Sequence, residues 1–109
     1  MNTKKPPLEK KTVNDTLKML RSRGGFWFKV HGSPYQLAGL PDIIGTYHGR
    51  FVSFEVKRDA AGKATELQAY TMKRIRTEGG VSVLIHSVEM AEAILNRIDE
   101  RMEARRSGS

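Results

Sequence analysis

The 109-residue chain has no cysteine, a single tryptophan, four prolines and no strongly apolar run longer than the five residues 81–85, itself interrupted by Ser82. Without thiols it forms no disulfide, no thiolate zinc site and no cysteine nucleophile, which fits a reducing compartment and sets the expectation of a cytoplasmic protein. No stretch approaches the roughly 20 apolar residues that span a bilayer. The lysines among the first eleven residues are followed by no apolar segment, so neither a membrane helix nor a secretory leader is expected. Gly32, Gly45 and Gly62 do not fall into a phosphate-cradling glycine pattern, which excludes a nucleoside triphosphatase loop. His48 and His86 have no metal-ligand spacing with each other. Charged residues are 28% of the chain and hydrophobic ones 39%, enough apolar surface for one folded domain rather than a disordered polycation.

Positive charge is abundant and unevenly placed. Nineteen Lys and Arg stand against twelve Asp and Glu, a net +7. Residues 1–58 carry eleven basic and four acidic side chains, whereas residues 59–109 carry eight of each. The whole excess lies in the first half, the footprint expected for a polyanionic partner such as nucleic acid. In the second half, Arg97, Arg101, Arg105 and Arg106 are interspersed with Glu92, Asp99, Glu100 and Glu103, which reads as a solvated, self-paired helix face.

The pattern of apolar positions predicts seven elements. Val13, Leu17 and Leu20 recur at helical spacing between Pro7 and Gly24-Gly25, marking a helix over 8–23 with a basic outer face. Residues 26–31 read as a strand whose aromatics, Phe26, Trp27 and Phe28, serve core and interface or stack on bases. Residues 42–47 and 50–58 read as strands joined at His48-Gly49, and Val52, Phe54 and Val56 alternate with Phe51, Ser53, Glu55 and Lys57. Thr65 with Gln68 forms a capping-box pattern for a helix ended by Gly79-Gly80. A strand over 81–86 and a final helix capped by Ser87 complete the order αβββαβα. The second helix is then a crossover, and the strand after it should lie parallel to 50–58 in a mixed sheet flanked by helices. Residues 1–7 and 107–109 are expected to be flexible ends of a single domain over 8–106.

One polar cluster is not explained by packing. A two-residue turn at His48-Gly49 pairs Tyr47 with Arg50 and sets Asp42 directly opposite Glu55, with Cβ atoms about 5 Å apart; a three-residue turn would instead bring Ile43 there. Asp42 after Pro41 can serve as a turn residue, and Glu55 with Lys57 as an ion pair on a strand face. Two carboxylates facing each other repel unless a cation lies between them. An all-oxygen set of Asp42, Glu55 and the Val56 carbonyl suits Mg²⁺ or Mn²⁺ rather than Zn²⁺. With Lys57 one pleat further along, the reaction that fits is phosphodiester hydrolysis.

Gly39-Leu40-Pro41-Asp42, then Glu55-Val56-Lys57, then Gln68 at the start of the next helix, resembles the PD-(D/E)XK nucleases and within them the VRR-NUC (virus-type replication-repair nuclease) domains, over residues 9–98 or so. The resemblance implies a restriction-endonuclease-like α/β core, with Asp42 and Glu55 as metal ligands, Lys57 as the catalytic lysine, Gln68 supporting the site and Glu9 as an additional acid near the metal. It also implies a phage or bacterial setting, branched DNA such as a Holliday junction or flap as substrate, and a homodimer. Lys10, Lys11, Lys18, Arg21, Arg23 and Lys29 are then the expected backbone contacts to DNA, and His31, Ser33, Tyr35 and Gln36 a substrate-facing segment. The competing reading is a non-catalytic basic nucleic-acid-binding module on the same fold, which has no use for carboxylates facing phosphate.

Overall fold

A computed structural model describes residues 7–32 and 38–108. The elements follow the expected order: α1 (Pro7–Arg23), β1 (Phe26–Lys29), β2 (Ile43–Tyr47), β3 (Arg50–Val56), α2 (Glu66–Thr77), β4 (Val81–Ile85) and α3 (Val88–Gly108). The four strands lie in sequence order; β1, β2 and β3 are antiparallel neighbours, and the crossover through α2 makes β4 parallel to β3. The mixed sheet and its helical flanks are those expected from the sequence.

Residues paired across strands share a face, so the register assigns the two sides of the sheet. Trp27, Ile43, Val52, Phe54, Val56 and Ile85 form the buried side. They pack with Val13, Leu17 and Leu20 of α1 and Ala91, Leu95 and Ile98 of α3 into one core. The other side carries Phe26, Phe28, Phe51, Ser53 and Glu55, and α2 covers its β4 flank and, with its first turn, the end of β3 at Glu55. The three aromatics of β1 are therefore split. Trp27 is core, whereas Phe26 and Phe28 are 63% and 48% exposed, their rings 4.7 Å apart edge to face.

The hairpin turn has two residues, His48 (φ 51°) and Gly49 (φ 79°), the all-positive backbone of a type I′ turn. Histidine is a poor choice there by local preference. Tertiary contacts support it: its ring packs 4.4 Å from that of Tyr47, and its Nε2 lies 3.2 Å from Asp99 on α3. Tyr47 donates to Asp99 at 2.8 Å, and Arg23 at the end of α1 reaches Asp99 at 2.9 Å and Glu92 at 3.6 Å. This cluster ties α1, the hairpin and α3 together. It also corrects the reading of α3 as self-paired, because two of its acids are engaged by Arg23; Arg106 pairs with Glu103 as expected.

The hydrogen bond from Tyr47, with the bond and charge of Arg23, holds the Asp99 carboxyl below its ordinary value of 3.8 against the opposing effect of desolvation. Burial, followed by its bond to Asp99, raises the Tyr47 phenol above 10.0. A carboxylate with a depressed folded pKa stabilises the fold above the unfolded pKa and loses that contribution as pH falls through the folded value. Asp99→Asn should accordingly melt below wild type near neutral pH, and the difference should close as pH falls below the ordinary carboxylate range and through the lowered folded value. Thermal melts across that range check it; a constant difference would show that the ionised carboxylate is not what stabilises the cluster.

Candidate active site

Asp42 precedes β2 and is held from both neighbouring strands. Its carbonyl accepts from Val30 N–H at 2.8 Å, and its own N–H donates to Phe54 O at 3.0 Å. Since Ile43 is the residue that pairs with Phe54, two consecutive residues face one on β3, the arrangement of a β-bulge. The expected register holds from Tyr47↔Arg50 to Ile43↔Phe54. Asp42 departs from strict opposition to Glu55, because the bulge sends its Oδ2 to accept from Val56 N–H at 2.7 Å. β2 therefore begins at Ile43 rather than Asp42, and β3 ends at Val56 rather than Arg58, although Lys57 N–H still bonds Ile85 O of β4 at 2.8 Å.

Glu55 is the outlier of the core, a carboxylate only 2% exposed near the end of β3. The sequence alternation placed it on the polar side of the strand; the first turn of α2 buries that side here. Gln68 Nε2 donates to Glu55 Oε2 at 3.0 Å. Lys57 Nζ lies 3.7 Å from the same oxygen and donates to Gln68 Oε1 at 2.9 Å. That Oε1 also accepts from Thr65 N–H at 2.9 Å, and Thr65 Oγ1 accepts from Gln68 N–H at 3.1 Å, closing the capping box. One glutamine thus ends the helix and joins the acid to the lysine. With donors on its oxygen and a carboxylate on its nitrogen, the amide has only one orientation that satisfies all partners.

Two glycines let the surrounding loops close on this cluster. Gly39 has φ +82°, and a Cβ there would meet the Leu67 backbone at 2.9 Å, so the segment leading to Asp42 rests directly on the first turn of α2. A Cβ on Gly62 would come within 2.7 Å of Lys57 Cβ, so this glycine lets the loop pass over the lysine stem. Reading the sequence missed the role of Gly62, because nothing local marks a contact made five residues away across a loop.

The cluster unites Asp42, Glu55, Val56, Lys57 and Gln68. Glu9 is half-buried in the first turn of α1. Among the described residues no three His, Asp or Glu side chains group tightly enough to hold one metal ion. The basic residues expected to face DNA divide. Lys10 and Lys18 are exposed on α1; Lys11 pairs with Asp15 at 2.6 Å; Lys29 bonds Asn14 at 3.2 Å and Arg21 bonds Trp27 O at 3.2 Å. Arg23 is turned against α3 and has a structural task instead. His31 is exposed, while Ser33, Tyr35 and Gln36 lie outside the described residues. No described helix is long and apolar enough to cross a membrane.

Truncating Gln68 removes a donor from a buried carboxylate and breaks the capping box together. Gln68→Ala should cost about 2 kcal/mol in urea denaturation. Gln68→Glu keeps the capping pattern but sets a second carboxylate on Glu55, so its loss should be large near neutral pH and shrink in acid. An alanine variant as stable as wild type would show that Glu55 does not depend on this amide.

No protein-family profile matches the chain, and no curated protein does. Solved structures do. One described as a VRR_NUC domain superimposes with a TM-score of 0.71 at 21% identity, covering 84% of this chain and 97% of its own. Another, a VRR_NUC domain protein, superimposes with a TM-score of 0.58 at 20% identity, covering 89% of each chain. At such identity the likeness speaks for architecture: this chain has the fold of the VRR_NUC domains.

Proposed function

We propose that the protein is a divalent-metal-dependent DNA endonuclease that hydrolyses phosphodiester bonds, with branched DNA such as a Holliday junction or flap as its substrate. The observation that carries this reading is the Glu55–Gln68–Lys57 chain of hydrogen bonds and charge beside Asp42. A buried acid and a half-buried base meet at the end of two strands, where fold stability alone favours apolar side chains. The resemblance of the GLPD, EVK and Gln68 series to the PD-(D/E)XK nucleases supports the same reading, as does the basic half of the chain.

Asp42, Glu55 and the Val56 carbonyl offer only oxygen donors, and the Val56 N–H orients Asp42 through Oδ2. This set fits Mg²⁺ or Mn²⁺. When bound there, such an ion lowers the pKa of a water and neutralises charge on a phosphate oxygen. The chain's own contribution is positioning and charge. Lys57, anchored through Gln68, holds its Nζ where it can orient the attacking water and stabilise the negative charge that grows on the phosphate. Exposed Lys10 and Lys18 contact the DNA backbone without reading sequence. Symmetric cleavage of a four-way junction needs two centres, so the active form is a two-fold homodimer. The exposed Phe26–Phe28 pair on edge strand β1 supports such an assembly.

The test incubates the protein with a labelled four-way junction, a flap and a linear duplex in Mg²⁺, Mn²⁺ or EDTA. Wild type should cut in metal and not in EDTA, while Lys57→Ala and Asp42→Ala should each slow cleavage by about 10²-fold or more and leave DNA affinity in EDTA nearly unchanged. Cleavage that persists in EDTA or in Lys57→Ala would sink the mechanism. Salt-sensitive binding with no cleavage in any metal would make the protein a binding module.

A further inference from the structure

At the opposite end of the sheet from Asp42 and Glu55, the open edge of β4 and the outer side of α3 enclose a cavity of about 240 Å³. Four arginines line it: Arg50 from β3, Arg76 from α2, and Arg97 and Arg101 from α3, over a floor that includes Val81 and Ile94. No carboxylate lines it, and among the described residues none of the four forms an ion pair with an acid. Arg50 donates to Gly79 O and Arg76 to Ser82 O, each at 2.9 Å. These are neutral carbonyls that satisfy backbone without offsetting charge, and each guanidinium keeps further N–H donors.

The concentration of positive charge has a structural cause. Arg97 and Arg101 are four residues apart on one helix face, where like charges repel. Three of the acids on this helix are engaged elsewhere. Asp99 holds Arg23, Tyr47 and His48, Glu92 lies beside Arg23, and Glu103 pairs with Arg106. Four guanidinium groups around a partly apolar hollow thus form a fork-lined receptor for an oxyanion, and phosphate is the anion whose geometry a guanidinium meets with two parallel bonds.

We infer that this arginine cavity binds a backbone phosphate of DNA and is a second anchoring point distinct from the Asp42–Glu55–Lys57 cluster. The inference rests on the proposed DNA substrate but not on cleavage. β4 runs from Val81 beside the cavity to Ile85 at the cluster's end of the sheet, about 13 Å at ~3.3 Å per residue. The cavity lies on the α3 side of the sheet and the cluster on the α2 side, so a polyanion that meets both passes around the β4 edge. A continuous polyanion gains from two such points; an isolated acidic peptide would leave the second unused.

The experiment measures anisotropy of a fluorescent duplex in EDTA, where no cutting intervenes, over a series of salt concentrations. Arg97→Gln/Arg101→Gln should weaken binding about tenfold and reduce the log–log salt slope by about one, at roughly 0.9 per phosphate contact. Arg97→Lys/Arg101→Lys should recover most of the slope. Unchanged melting of both variants excludes misfolding. Inorganic phosphate competing with the duplex on wild type and not on the glutamine variant supports the site. Binding by the glutamine variant within twofold of wild type, with the same slope, overturns the inference while leaving the proposed substrate intact. Loss of fluorescent poly-glutamate binding with duplex binding retained overturns it in favour of an acidic protein partner. A wild type that binds no DNA in EDTA overturns both this site and the DNA reading, whereas binding without cleavage in metal removes only the nuclease chemistry.

Discussion

The structure depends on keeping one carboxyl group, that of Glu55, satisfied inside the sheet–helix interface. Transferring such a group from water is unfavourable by several kcal/mol unless hydrogen bonds and an opposite charge compensate. β3 cannot supply both, because its neighbours on that face are Phe51 and Ser53. The Gln68 amide from α2 and the Lys57 ammonium from the strand end do so. That requirement sets where α2 begins. Gln68 reaches Glu55 only with the first helical turn lying over the end of β3, and the capping box with Thr65 holds that turn in place. The same turn receives the glycine-led approach to Asp42. Thus the second acid of the cluster is positioned by the partners of the first.

The basic character of the chain is distributed by similar competition. Arg23 belongs by sequence to the positive half, yet it is drawn to Asp99 and Glu92 and joins α1 to α3. Lys10, Lys11, Lys18 and Arg21 remain the exposed cations of α1. Arg97 and Arg101, on another side of α3, form no ion pair among the described residues. Net charge over a half-chain therefore does not say where the positive surface lies; the pairing of a few acids does.

The elements and their order were legible because each has a local cause: helical spacing of Val13, Leu17 and Leu20, alternation along β3, the Thr65–Gln68 box and the glycines at the helix ends. Register was legible too, since His48-Gly49 closes a two-residue turn and the pleat allows only one inward set. The bulge at Asp42 was not, because it comes from hydrogen bonds to Phe54 and Val56, residues more than ten positions away. Nor was the burial of Glu55. Alternation shows which side of a strand a residue takes, and what covers that side is settled by the packing of another element.

By itself the sequence determined a single basic α/β domain, its mixed sheet, and the residue types of a carboxylate–lysine cluster, because composition, periodicity and turn chemistry act over a few neighbouring residues. The tertiary structure alone decided that Gln68 joins Glu55 to Lys57 while capping its helix, that Arg23 is a clamp, and that four arginines from three elements meet at the β4 edge. Each of these follows from distances between segments far apart in the chain, which only folding brings together.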